Sequence, residues 1–493
     1  MRSHLSAAAC LCALALSAQT PDPDFGTDGV VTFSAPAGGE FGLHDLIHDA
    51  EGRLVVVGHL GNLFNDPAGL VLRYLPNGDL DSSFAEDGIY ERVVAGYPNR
   101  YWRVALSPDG SNDILAMGHI TRTPSALETL GYSRIQPDGT PANTWWNGTP
   151  GANMGNCWDA VGTGGAIRPD GRMVLFGKCN EGGAFNAVGV AMYEADDTPN
   201  NTFGQSNFAQ LDGCCGETAV DGMIDGAGRP VLAVHMDESY WAIRFQANGQ
   251  RDYTFNGSGS YSAGARGVRR IAAAPANRLQ LIGRGSGATL DEALIVRLMN
   301  AGGTPDATFG TEGRRYYSWD AADHAFTDQA WDPQGRCVLA GTVGGFNHLG
   351  FLARLLPNGD IDSTFGVDGR YLLPHPSPGE PAISLGPNGR ICVTTGFATD
   401  TAYVSCYTTD LTTTVPQPAP YHWLHPWPNP TTDALYLEGY HGSTAPQVLD
   451  PLGRHHRVPS ERIGSGWRLQ LDVLAPGGYV VVVPGGSARV VVE

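Results

Sequence analysis

One polar phrase is written twice in this chain, almost unchanged. Residues 75–88 read LPNGDLDSSFAEDG and residues 356–369 read LPNGDIDSTFGVDG. A chain that repeats a turn this closely reuses one supersecondary unit, and the period of reuse restricts the fold more than any other feature. The phrase ends on an aromatic residue, usually followed by Gly. These aromatics are Phe25, Phe84, Trp146, Phe203, Phe255, Phe309 and Phe365, with spacings of 59, 62, 57, 52, 54 and 56 residues. Inside each interval a second polar turn precedes a β-rich run, as in RLVVVG at 53–58, RMVLFG at 172–177 and RCVLAG at 336–341.

Each unit reads as four short strands separated by tight turns. Asn-Gly and Asp-Gly suit such turns because they accept positive φ at low cost. A lone four-stranded sheet cannot bury both of its faces. Units stacked about an axis bury them, and closing the ring protects the edges. The expectation is an all-β chain: a seven-bladed β-propeller of four-stranded blades over residues 19–410. Glycine supports this reading. It makes up 66 of 493 residues, near twice the usual share of about 7%, as a turn every ten residues or so requires.

The ends read differently. Residues 1–18 carry Arg2, an apolar run at 7–16 and small residues at 17–18, which is the pattern of a secretory signal peptide. No other apolar run approaches the ~18 residues of a membrane span. Residues 411–420, LTTTVPQPAP, form a Thr/Pro linker. Residues 421–493 read as a small C-terminal β-sandwich. It has Trp427-Pro428-Asn429-Pro430 at its start, the alternating ALYLEG at 434–439, a Gly453-Arg454 turn and a late hairpin over 467–483. A net charge of −19 argues against nucleic acid or an anionic membrane as partner, and the same acidity keeps a secreted protein soluble.

Two resemblances follow from these motifs. The LxPDGxxDxxFGxxG turn and the DGxxxxxG strand resemble the delta-60 repeat of bacterial secreted proteins, which implies the repeat architecture and no particular activity. The C-terminal domain resembles the sorting domain of the type IX secretion (Por secretion) system of Bacteroidetes. Its matching positions are Pro428, Asn429, Pro430, Gly453, Arg454, Leu474, Gly478 and Tyr479. The resemblance implies the type IX secretion machinery as partner, passage across the outer membrane, and cleavage or attachment at the cell surface.

Candidate chemistry is sparse. The pairs Asp79/Asp81 and Asp360/Asp362 offer oxygens to Ca²⁺, but Asp at such positions also caps its own turn, and these sit where every blade turns. Arg73, Arg134, Arg244, Arg297 and Arg354 recur once per unit, with Tyr193 and Cys406 in the other two. One residue per blade is expected to be architectural, forking onto a neighbouring carboxylate. Trp146 aligns with the packing aromatics. Trp102, Trp158 and Trp319 do not, and they are the candidate contacts for a glycan or protein ligand.

Seven cysteines follow the leader, at 157, 179, 214, 215, 337, 392 and 406. Cys157 with Cys179 and Cys392 with Cys406 each fall within one unit, and the odd count leaves at least one thiol over. There is no GxSxG, HExxH, CxxC zinc pattern or phosphate loop, so no catalytic, metal or cofactor residue is named. The expected function is a secreted or cell-surface binding or adhesion propeller. The alternatives are a polysaccharide hydrolase or lyase and a purely structural exoprotein. Rim carboxylates converging within about 5–10 Å would favour the hydrolase or lyase.

Overall fold

A computed structural model of the chain describes residues 20–34, 41–61, 68–93, 99–122, 127–143, 159–168, 170–181, 185–204, 208–211, 218–236, 239–264, 266–286, 290–320, 322–344, 349–376, 379–394, 397–398, 401–408, 425–427, 431–438, 445–450, 454–463, 466–483 and 486–492. The expected leader and linker lie outside them. The described secondary structure is all β apart from two 3-10 turns, Phe255–Gly257 and Pro387–Gly389. Among the described residues no helix is long and apolar enough to cross a membrane. The chain divides into two compact units, residues 1–414 and 415–493.

Among the described residues the first unit carries seven antiparallel sheets, numbered here in chain order. Sheet 1 runs Phe41–His48, Leu54–Leu60, Ala68–Tyr74, Ile89–Arg92, with the short Phe397–Ala398 paired on the other edge of Phe41–His48. Sheets 2 to 6 repeat this simple meander, their first strands being Asn99–Leu106, Asp159–Ile167, Thr218–Ile224, Gly267–Ala274 and His324–Trp331. Each first strand packs beside the first strand of the next sheet, and Ile383–Leu385 of sheet 7 lies beside Phe41–His48 of sheet 1. The arrangement is that of a β-propeller.

The sequence period and the sheet are out of step by one strand. The strand after each marker phenylalanine is not the first of a new sheet; it pairs as the outermost strand of the sheet already begun, as Ile89–Arg92 pairs with Ala68–Tyr74, while Trp146 lies outside the described residues. Val30–Ser34, which follows Phe25, therefore has no sheet of its own. It completes sheet 7 by pairing with Thr401–Thr408, with Val30 opposite Ser405. The N-terminal end thus supplies the closing strand. The arginines predicted on fourth strands accordingly stand on third strands, as Arg73 does on Ala68–Tyr74.

Apolar cores lie between consecutive sheets. Val55, Val57, Val71 and Phe84 from the sheet 1 repeat pack against Tyr101, Val104 and Ile114 of sheet 2. The recurrent arginines join sheets at the rim. Arg73 donates through Nε to Asp81 at 2.8 Å, reaches the Pro137 carbonyl in the next sheet's turn, and lies 4.6 Å above the Phe84 ring. Arg244 repeats this with Asp252, Asn300 and Phe255. Each of these aspartates also accepts from the Ser or Thr two residues on, as Asp362 does from Thr364. That is the turn-capping geometry expected of the repeated phrase.

The deviant third repeat is explained by the same contact. Asp197 stands where Gly78 and Gly359 stand in the closest repeats, at a φ of 66° against their 87°. A side chain is strained there, but its carboxylate grips Arg134 of sheet 2 with two bonds of 2.8 Å.

The second unit holds two four-stranded antiparallel sheets. Leu435, Leu437, Trp467 and Leu469 of one share an apolar core with Val448, Tyr479, Val481 and Val490 of the other.

Candidate functional site

Six of the seven first strands carry a β-bulge at the same place, between Leu43/Asp45, Tyr101/Arg103, Gly162/Gly164, Ala219/Asp221, Val268/Arg270 and Phe326/Asp328. A bulge bends the strand and re-aims the following side chain. The residue after it stands four positions before the internal turn of its sheet. In order these residues are Asp45, Arg103, Gly164, Asp221, Arg270 and Asp328, and the unbulged seventh strand puts Ala382 there.

These positions meet in one network. Each aspartate accepts a backbone N–H from the first strand of the next sheet: Asp45 from Val104 at 3.0 Å, Asp221 from Ile271 at 2.8 Å and Asp328 from Ile383 at 2.8 Å. The arginines bridge more widely. Arg103 of sheet 2 pairs with Asp221 of sheet 4 at 2.8 Å. Arg270 pairs with Asp328 at 3.2 Å and stands 3.8 Å from Asp45 and 3.9 Å from Asp221. Side chains from five sheets are thus tied across the centre of the first unit.

Three carboxylates face two guanidinium groups in a site nearly shut off from water. Burial pushes the Asp45 carboxyl up to about 7, the attraction of Arg103 opposing it and the charge of Asp328 adding to it. Burial likewise takes Asp221 and Asp328 up to about 6. Such carboxyls hold a proton more readily than exposed ones.

The bulge residues themselves, His44, Trp102, Thr163, Val220, Arg269 and Thr327, stand one position ahead of the network, on the side from which the first strands enter. The Trp102 and His44 rings lie with their centres 4.1 Å apart and their planes tilted by 40°. His44 Nε2 lies 2.9 Å from Nδ1 of the buried His59. Arg269 passes over the first strand of sheet 6 to pair with Glu380, ahead of sheet 7, at 2.6 Å. Beneath this bridge Thr327 donates its hydroxyl to the Pro381 carbonyl.

A polar cleft of about 270 Å³ opens on this entry side, lined among others by Arg269, Arg284, Asp291, Asp323, His324 and Thr342. Asp291 is held at both oxygens, by Arg266 at 3.2 Å and Arg284 at 3.3 Å, and donates its backbone N–H to Asp323. Burial lowers the basicity of His324, so at neutral pH it is an uncharged wall. Three carboxylates therefore border the cleft, each already bonded.

The sequence-predicted residues fall as follows. Trp102 is half-buried on the entry side. Trp319 is packed at the joint of sheets 5 and 6: its indole N–H donates to the Asp368 carbonyl at 3.1 Å, with Phe351 at 5.3 Å and Arg370 above the ring. Trp158, Pro428, Asn429, Pro430 and Gly453 lie outside the described residues. Arg454 pairs with Asp450 at 2.8 Å, Gly478 stands opposite Val491, Leu474 packs on the core, and the Tyr479 hydroxyl donates to Ala475.

Cys392 and Cys406 are disulfide-bonded across neighbouring strands of sheet 7. Cys337 is a free thiol, buried, with its pKa pushed up to about 12 by that burial, which leaves it unreactive. Cys157, Cys214 and Cys215 are outside the described residues. Among the described residues no three His, Cys, Asp or Glu converge as metal ligands. Sequence reasoning missed the central network and the cleft. The signal for the network was there: a charged residue four places before the internal turn in five of seven repeats.

The family described as domain of unknown function (DUF5122) beta-propeller matches residues 50–84, within the first repeat. No curated protein matches the chain. Among solved structures, a puromycin hydrolase is 14% identical with a TM-score of 0.40, over 76% of this chain and 51% of its own. The polysaccharide lyase Uly1 is 12% identical with a TM-score of 0.40, over 74% and 90%. YCF48 bound to D1 peptide is 12% identical with a TM-score of 0.39, over 80% and 100%. The chain thus spans about half the length of the hydrolase it resembles.

Proposed function

We propose that the chain is an exported seven-bladed β-propeller that binds a glycan on the side where its first strands enter. Its C-terminal unit, a β-sandwich, serves as the type IX sorting domain. The observation that carries the binding reading is the state of the carboxylates. Asp291, Asp323 and Glu380 converge on the entry-side cleft, but each is bonded to a neighbour. A general acid–base pair needs a carboxyl able to exchange its proton with a reacting group. A rigid, polar, pre-bonded wall suits recognition. Trp102, its ring tilted against that of His44 beside the central network, supplies an aromatic group of the kind sugars pack against.

The hydrolase or lyase remains the second reading, because carboxylates do gather at that cleft. A polysaccharide array with the purified chain, run beside product analysis, separates the two. Binding without new products, lost in Trp102→Ala, is the expected result. Product formation would replace the binding reading with the enzymatic one. For the address, removal of residues 415–493 is expected to leave the chain inside the cell. Undiminished appearance in the medium or on the cell surface would overturn that part.

A further inference from the structure

We propose that Arg269 and Arg284 form an oxyanion subsite in the entry-side cleft, so that the ligand is an acidic glycan bearing carboxylate or sulfate groups. The inference rests on the reading of this side as the binding face, and it comes from a count of donors and acceptors. Arg269 meets Glu380 only as an ion pair, with Nε 2.6 Å from the carboxylate and no hydrogen bond formed. Arg284 uses only Nη1, toward Asp291. Among the described residues the remaining guanidinium nitrogens of both have no partner, and neither has the hydroxyl of Thr342 on the same wall.

The acceptors are more nearly committed. Both oxygens of Asp291 are bonded, and Asp323 and Glu380 each use one. A cleft with donors left over complements a group rich in acceptors. Two planar guanidinium forks beside a hydroxyl match a carboxylate or sulfate, which accept several bonds in one plane or from one pole.

The backbone keeps Arg284 in place. It stands opposite Gly267 in the ladder, and a Cβ on Gly267 would come within 3.2 Å of its Nε. The glycine lets the side chain lie flat across the strand at the edge of the cleft. Arg269 is positioned by its bulge and by Glu380. Ala325 is the one apolar side chain among the lining residues, so the cleft offers no apolar anchor pocket of the kind that holds peptide side chains. A polyhydroxylated chain fits better. The net charge of −19 disfavours unspecific attraction of polyanions, so measured binding to an acidic sugar would have to come from a local site.

The test titrates the purified full chain by calorimetry with three oligosaccharides of equal length: a galacturonate, a sulfated galactan fragment and a neutral maltose oligomer. The expected result is that one or both acidic ligands bind at least about tenfold more tightly than the neutral one, the scale of one charge-assisted contact. Arg284→Gln should remove about tenfold of that affinity, Arg284→Lys less, and Thr342→Val should weaken it, each with an unchanged melting temperature. Should Arg284→Gln fold poorly, Arg269→Gln carries the same expectation. Equal binding of acidic and neutral ligands, or full affinity in the Gln variants, overturns the subsite. If a neutral glycan binds and Trp102→Ala abolishes it, the binding face stands and the subsite falls. If no sugar binds, both fall.

Discussion

Arg103 reaches past an entire sheet to hold Asp221. The two stand on sheets 2 and 4, 2.8 Å apart, and the strand between them carries Gly164, where a Cβ would lie 2.9 Å from Arg103 Cγ. A charged residue can cross the centre because the intervening position has no side chain. Gly164→Ala should therefore cost about 1–3 kcal/mol, as overpacking does. Arg103→Met removes the closer cation of the buried Asp221, leaving only Arg270 at 3.9 Å, and should cost about 3–5 kcal/mol. Urea denaturation of these two variants, of Asp221→Asn and of Arg103→Met/Asp221→Asn checks this. The double variant should lose less than the sum of the singles.

Stability should fall as pH rises from about 4 to about 7. Asp45, Asp221 and Asp328 hold their protons to about 7, 6 and 6 in the fold, against 3.8 ordinarily. The folded chain binds more protons in that window, so their stabilisation is complete below the ordinary value and lost through the raised ones. On the acid side the trend reverses. At Asp81 and Asp362 burial raises the pKa, but hydrogen bonds from Ser83 and Thr364 and the charges of Arg73 and Arg354 outweigh it, leaving both below the ordinary value. Their contribution disappears as pH drops below about 4. Thermal melts from pH 3 to 8 should show a maximum between these limbs, and Asp45→Asn should flatten the upper one. An upper limb unchanged in Asp45→Asn would refute the assignment.

Reduction should loosen the closure of the first unit. The Cys392–Cys406 bridge spans 14 residues, and a loop of this size contributes about 2–3 kcal/mol. Cys406 lies on Thr401–Thr408, the strand that receives Val30–Ser34. With reductant, or in Cys392→Ala/Cys406→Ala, amide exchange should rise first in Val30–Ser34 and Thr401–Thr408. Uniform acceleration across all seven sheets would contradict this.

Rim arginines should separate by burial. Arg244 is fully buried with Asp252, Asn300 and Thr254 as partners, so Arg244→Met should cost about 3–5 kcal/mol. Arg315 meets Asp360 at the surface, and Arg315→Met should cost under about 1 kcal/mol. Similar losses in the two would show that the buried arginine is not a staple between sheets.

The repeat was legible because its turns make local demands. Gly78 and Gly359 hold positive φ, and Asp81 and Asp362 cap the next turn; these needs are met within a few residues and so recur. The strand offset was not legible, since the phrase marks the turn and not the sheet that owns the next strand. The central network escaped for the opposite reason. Its members occupy one repeat position but differ in kind, Asp, Arg, Gly, Asp, Arg, Asp, Ala, and a search for sameness passes over a site built from alternation. The cleft escaped because Arg284 and Thr342 are unremarkable until the fold brings them to the same wall. Trp319 read as a free aromatic because Asp368 and Phe351, its partners, are 49 and 32 residues away.

Thr20 stands directly opposite Thr408, their hydroxyls 3.1 Å apart. The first and last described residues of the first unit are therefore next-door neighbours on paired strands. A few linking residues would join them, and a fresh opening cut between any two sheets would leave every strand pairing intact. Whichever sheet is then translated first, its outer edge would be covered by the same partner as before, with no sheet divided between the two ends of the chain.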